Sequence, residues 1–238
     1  LKNETLVHID AHLDFDWMDG ESATIDWTQD IRGIGYVDAR KIAVTDGGVI
    51  YVAYRKVNKT DSDYQIFISS SSDNGRSWRL ANNGKPISDG ILKYDQRVPS
   101  IIAQGDTIAV AWYGAEPSFG RKNHREIKFS RLAAGGNGLF EPWINIGLIA
   151  GYKNQDYWQE HPVLAAKDDR TLYLVWEGQD ALNDKQQIKF SRTTDGGKTW
   201  DPPKNIVPIP GRTQSRPTLI LANDSIYVFG YSAQYNDT

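Results

Sequence analysis

The chain reads as an all-β protein, a β-propeller of four-stranded antiparallel blades. Three observations predict it. A pentapeptide recurs, short β-branched and aromatic runs return at one spacing, and no stretch holds an apolar period of 3.6 residues. Ile127-Lys128-Phe129-Ser130-Arg131 reappears 61 residues later as Ile188-Lys189-Phe190-Ser191-Arg192. The same shift backwards lands on Ile66-Phe67-Ile68-Ser69-Ser70. One unit of about 60 residues therefore reads strand, tight turn, strand, variable loop, strand, Asp-containing turn, strand. Solenoid repeats are usually shorter.

Each unit opens on an inner strand: Arg40-Lys41-Ile42-Ala43, Pro99-Ser100-Ile101-Ile102, Pro162-Val163-Leu164-Ala165 and Pro217-Thr218-Leu219-Ile220. Gly, Asp or Asn pairs follow, as in Asp46-Gly47-Gly48, Gly105-Asp106, Asp168-Asp169 and Asn223-Asp224. Such residues turn a chain between two strands. Second strands come next, centred on Tyr51, Ala109, Tyr173 and Tyr227. The whole of 1–238 is expected to be one domain, with blades near 38–94, 95–156, 157–213 and 214–238. In a closed four-blade ring, residues 1–35 would supply the outer strands of the last blade. The other arrangement is a run of blades from a larger propeller. The chain opens at Leu1 and its only Met is Met18, so a processed start or a fragment is expected.

Composition limits function. Net charge is −3 and hydrophobic residues make 39%, which argues against nucleic acid as the main partner and against a disordered chain. The longest apolar runs are far too short to cross a membrane as a helix. Cys is absent, so neither disulfides nor thiolate metal sites form.

Two strings fit Ser/Thr-x-Asp-x-Gly-x-x-Trp: Ser71 to Trp78, with Asp73 and Gly75, and Thr193 to Trp200, with Asp195 and Gly197. The Asp accepts backbone N–H groups of the turn, the Gly supplies positive φ, and the Trp buries a large surface between sheets. This pattern is the Asp-box, or bacterial neuraminidase repeat. Over roughly residues 38–231 the chain resembles the sialidase superfamily of β-propellers. The resemblance implies that Asp73 and Asp195 are structural and lie away from any substrate pocket. It also implies a ligand role for Arg97, because Gln96-Arg97-Val98-Pro99 is similar to the family's Arg-Ile-Pro string, whose Arg binds a carboxylate. The Tyr–Glu pair and the Asp of a sialidase site are not legible here.

Aligned repeats place Asp38, Arg97, Glu160 with His161, and Arg216 together at one channel mouth, with Tyr157 and Trp158 beside them. Aromatic faces suit sugar C–H surfaces. Loops after the second strands, at 55–63, 113–125 and 177–185, are expected on the same side, and the second brings Arg121. His8 and His12 alternate with Asp10, Asp14 and Asp16 on one face of a strand whose other face is Val7, Ile9, Ala11, Leu13 and Phe15. No metal or cofactor is expected. Sequons at Asn3, Asn58, Asn223 and Asn236 suggest a glycosylated, extracellular or cell-surface protein. The expected function is non-catalytic glycan recognition, with a carbohydrate or glycoprotein ligand or a protein partner. An exo-sialidase-type glycoside hydrolase is the alternative, and a structural module of a larger surface assembly the third.

Overall fold

The computed structural model describes residues 24–26, 33, 39–57, 63–90, 94–115, 125–132, 138–146, 157–181 and 183–233. Three four-stranded antiparallel sheets and one two-stranded sheet follow in chain order. The first holds β1 (Ile42–Val44), β2 (Ile50–Val57), β3 (Tyr64–Ser71) and β4 (Arg79–Leu80). The second holds β5 (Gln96–Gln104), β6 (Thr107–Gly114), β7 (Glu126–Arg131) and β8 (Ile144–Asn145). The third holds β9 (Gln159–Ala166), β10 (Leu172–Asp180), β11 (Asn183–Thr193) and β12 (Lys204–Asn205), and the last β13 (Thr213–Ala222) and β14 (Ser225–Ala233). No α-helix occurs among the described residues; the sole helical turn is 3₁₀, at Asn82–Gly84.

The sheets stack face to face, because the second strands β2, β6 and β10 are apolar on both sides. Ile66, Ile68, Ala53 and Tyr51 of the first sheet pack on Ile101, Ile108, Val110 and Trp112 of the second. The reverse face of the second, with Ala109, Ala111, Ile127 and Phe129, meets Leu172, Leu174 and Trp176. Val175, Ile188 and Tyr173 of the third meet Leu219 and Val228 of the fourth. Backbone N–H groups stitch the inner strands across the stack: Ile101 N donates to Arg40 O at 3.0 Å, and Leu164 N to the Ser100 hydroxyl oxygen at 3.1 Å. Among the described residues the sheets do not close into a ring. Of residues 1–35, from which the closing strands were expected, only 24–26 and 33 are among the described residues. The third expected loop is no loop either: β10 and β11 run on to Asp180 and from Asn183. Asn183 Nδ2 on Asp180 Oδ1 at 3.0 Å closes that hairpin.

The two Asp-containing turns have one geometry. Asp73 Oδ1 accepts Ser71 Oγ at 2.7 Å and Ser77 N at 2.9 Å, and Oδ2 accepts Ser77 Oγ at 2.6 Å. Asp195 repeats this with Thr193 and Thr199 at 2.7, 2.9 and 2.6 Å. These bonds hold the Asp73 carboxyl down at about 2 and Asp195 lower still, bonds to Ser77 and Thr199 contributing most. The second turn clamps its neighbour. Trp200 meets Phe129 edge-on at 5.3 Å, and Arg131 Nη1 donates to Gly196 O at 3.0 Å. Gly197, at φ 91°, faces the Phe129 ring so closely that any side chain would collide with it.

A buried clamp fixes where each inner strand meets the second strand. Trp112 Nε1 donates to Gln96 Oε1 at 3.0 Å, and Trp176 Nε1 to Gln159 Oε1 at 2.7 Å. Each Gln amide then donates to a main-chain carbonyl, of Ala115 at 2.9 Å and of Gln179 at 2.9 Å. A buried amide so satisfied specifies the register, and an unsatisfied one would cost stability. Gly114 and Gly178 make room for these side chains. A Cβ on Gly114 would lie 2.6 Å from Asp95 O, a main-chain atom that cannot swing aside. Gly114→Ala should therefore destabilise the fold by about 2–3 kcal/mol, as overpacking does, read as a lowered denaturation midpoint. An unchanged midpoint would refute the clamp.

Candidate functional site

The three Gln-x-x-Pro strings of β5, β9 and β13 share one irregularity. Val98, His161 and Arg216, each just before Pro, sit at φ 46°, 53° and 52°. Left-handed backbone before Pro is costly for these residues, roughly 1–3 kcal/mol each. The pairing register shifts at each point, between Arg97 and Ser100, opposite His161, and between Ser215 and Thr218. Each shift is a bulge that re-aims the side chains at the strand's start. The bulges lie side by side, because their sheets stack, and they define one mouth.

Glu177 is at its centre. It is buried, 5% exposed, on the second strand directly opposite Glu160. One carboxylate oxygen accepts His161 Nδ1 at 2.8 Å and the other accepts Arg216 N at 2.6 Å. Burial alone would raise its carboxyl. The His161 bond and charge, together with the Arg216 amide, outweigh that and hold it below the usual carboxylate range. Because an ionised carboxylate only accepts, Nδ1 of His161 carries the proton in this bond. The His161 ring packs edge-on against Tyr113 at 5.6 Å.

The flanking charges pair off as well. Arg125 forms an ion pair with Glu160, and Arg97 Nη2 lies 2.7 Å from Asp95 Oδ2. Burial opposes the charge on Arg97, but Asp95 and the Tyr113 hydroxyl more than offset it and raise its pKa. The Arg125 guanidinium lies over the Trp158 ring at 4.8 Å and near Tyr113 at 5.9 Å. Trp158 is 40% exposed. It is held at its main chain, where Gln179 N donates to Trp158 O at 3.0 Å.

Arg97, Trp158, Glu160, His161 and Arg216 thus come together, and Tyr157 adjoins them in sequence. Asp38 and Arg121 lie outside the described residues. Glu177, Tyr113, Arg125 and Asp95 complete the site. Repeat alignment offered a signal for Glu177, a charge four residues past the centre of a second strand, in the slot that Tyr113 and Arg55 fill elsewhere. Asn223 is exposed in the tight β13–β14 turn at φ 50°, while Asn3, Asn58 and Asn236 lie outside the described residues. Ligand atoms of Glu160, His161 and Glu177 come within 4.8 Å of one another, a spacing that suits a cation. The Arg125 guanidinium pairs with Glu160 and the Arg216 N–H donates to Glu177, so each carboxylate already has a donor.

No protein-family model matches the chain, and no curated protein matches it by sequence. Solved structures do. A thermostable family-43 glycoside hydrolase superposes with a TM-score of 0.53 at 12% identity, over 82% of this chain and 65% of that one. A Trypanosoma rangeli sialidase in complex with sialic acid gives 0.55 at 11%, over 95% and 38%. An α-L-arabinofuranosidase from Lactobacillus brevis gives 0.51 at 12%, over 92% and 73%. The chain spans less than two thirds of the first two. At these identities the shared property is the fold, a β-propeller.

The Glu177 contacts set a pH dependence. A depressed carboxyl contributes stability that is fully present above its unfolded value of about 4.3 and is lost as pH falls through the folded one. Glu177→Gln should lower the melting temperature by several degrees at pH 7, and the gap to wild type should shrink below about pH 4. Parallel melting curves across that window would contradict the assignment.

Proposed function

We propose that the chain is a glycan-binding propeller of sialidase-like type, which grips a sugar at the bulge-lined mouth and does not cleave it. The observation that carries this reading is the pairing of charges at the mouth beside an exposed aromatic ring. Glycoside hydrolysis by carboxylates needs one held protonated as general acid and another open to water or sugar. Glu177 is instead held ionised by His161 and the Arg216 amide, and Glu160 is bound to Arg125. Trp158 presents its ring with Arg125 fixed against it, an arrangement suited to a sugar's C–H face and hydroxyls. Arg97 and Arg125 already face Asp95 and Glu160, so a neutral sugar fits better than a carboxylate-bearing one. The sugars and inhibitors named with the neighbouring structures support a carbohydrate ligand. A secreted or cell-surface location belongs to the same proposal, supported by the exposed Asn223 sequon.

A glycan array followed by titration calorimetry tests it. Trp158→Ala should weaken binding at least tenfold, about 1.4 kcal/mol, with the melting temperature unchanged. Turnover of a fluorogenic sialoside or arabinofuranoside, abolished in Glu177→Gln, would establish the hydrolase reading in its place. Absence of any glycan binding would overturn both.

A further inference from the structure

A cleft opens between the outer edges of the first and second sheets and shares no residue with the mouth. Its volume is about 390 Å³, within the range of small-ligand sites. One wall is the segment that follows β4, residues 82–89, and the other is the 139–143 segment that leads into β8. The first wall is extra chain. In the second sheet Ile144 pairs with Phe129 and Ile146 N donates to Ile127 O; in the third, Lys204 pairs with Phe190 and Ile206 N donates to Ile188 O. The first sheet makes the same two connections from Ala81 N to Ile68 O and from Ile87 N to Ile66 O. Six residues there cover a step that takes two in the other sheets. The excess is a turn in which Asn82, Asn83 and Gly84 are all left-handed, at φ 53°, 54° and 77°. Asn enters that region more readily than other residues with side chains. A strained turn that the sheet does without elsewhere is a segment suited to function.

The cleft is preformed. Asn82 ties its walls together: its N donates to Gly138 O at 2.7 Å, Oδ1 accepts Phe140 N at 3.2 Å, and Nδ2 donates to Pro86 O at 3.1 Å. Trp143 Nε1 donates to Asp89 O at 3.0 Å, so the opposite wall holds this indole in place. Phe140 and Trp143 pack against the core and stay half-buried, and Leu139 is exposed beside them. The polar groups of the cleft have capacity left over. Glu141 Oε2 accepts Arg131 Nε at 3.0 Å and Asp89 Oδ1 accepts Gly90 N at 3.0 Å. The other oxygen of each carboxylate, the Asn83 amide and the Lys85 ammonium make no hydrogen bond among the described residues. Charge is balanced, Arg131 against Glu141 and Lys85 against Asp89.

We propose that this cleft binds a neutral sugar residue, independently of the mouth. Its lining sets that chemistry. A charged ligand would lose water without gaining a counter-charge. A wholly apolar one would strip water from Asn83, Asp89 and Glu141 and return no hydrogen bond. A sugar offers C–H groups to Trp143 and Leu139, and hydroxyls that donate to the carboxylates and accept from the amide. Walls already fixed lose little freedom when it binds.

The isotopically labelled full chain is titrated with methyl glycosides of galactose, glucose, mannose and arabinofuranose up to about 20 mM, a range that reveals millimolar affinity. N-acetylneuraminic acid and glucosamine are the charged controls. The side-chain N–H resonances of Trp143 and Asn83 should shift saturably with at least one neutral glycoside and not with the controls. These shifts should persist in Trp158→Ala. Asn83→Gly deletes the amide and keeps the left-handed backbone, and should weaken the binding roughly fivefold with the melting temperature unchanged. Silence at Trp143 with all the neutral glycosides would overturn the proposal, as would preference for a charged control. Shifts at Trp143 that vanish in Trp158→Ala, or an affinity indifferent to Asn83→Gly, would overturn it too. Sugar binding at the mouth is read separately, by the effect of Trp158→Ala on the glycan array, and stands or falls without this cleft.

Discussion

A sheet two layers of side chains thick cannot stand in water by itself. The second strand of each four-stranded sheet is apolar on both faces, so its stability requires a layer on either side. Burying Trp112 and Trp176 completely between sheets leaves the indole N–H groups needing partners in a dry interior. Gln96 and Gln159 provide them, and each Gln can reach only because Gly114 or Gly178 gives way. Sheet stacking, the clamp and the glycine form one linked requirement, and the positions of the inner strands follow from it. The fourth sheet shows the same rule by exception. Gly230 stands where the Trp would be, and Gln214 Oε1 accepts Ile188 N at 3.1 Å across the sheet interface instead.

With both faces of the sheets committed to packing, chemistry is confined to strand ends. The clamp sits immediately before the bulge, so the left-handed residue and its neighbours are projected from a rigid base. Strain at Val98, His161 and Arg216 persists because the surrounding structure holds it in place, which is how functional sites store backbone strain. Five charged residues around Glu177 could repel or could react. The geometry pairs them instead, carboxylate with guanidinium, imidazole or amide, and so prepares a polar surface of low net charge around one indole ring. A surface of that kind recognises by shape and hydrogen bonding, with little reorganisation on binding.

Much of this was legible in the residues. The recurrence of Ile127 to Arg131 marked the third strand of each blade, and the β-branched runs marked the second. Pro99, Pro162 and Pro217 located the inner strands and hence the mouth, which is why Arg97, Glu160, His161 and Arg216 were found together. The spacing of Asp73 and Asp195 from Gly75 and Gly197 specified their turns, because those hydrogen bonds span only four residues. The lysines of the repeated pentapeptide were less transparent. Lys128 and Lys189 look like solvent-facing strand residues, yet they are buried, donating at 2.6 Å to Gly114 O and to Asp180 Oδ2. Nothing local marks them as interior, since their partners are 14 and 9 residues away.

The sequence by itself determined the strand order and the turns, since both depend on side-chain alternation and turn chemistry within a few residues. Only the tertiary structure decided what the mouth residues do to one another. Glu177 meets His161 and the Arg216 amide, and Arg125 meets Glu160, across separations of 16, 39 and 35 residues. Those contacts arise where three stacked sheets bring their bulges side by side. Charge, protonation and exposure are set by that three-dimensional neighbourhood, which no local pattern encodes.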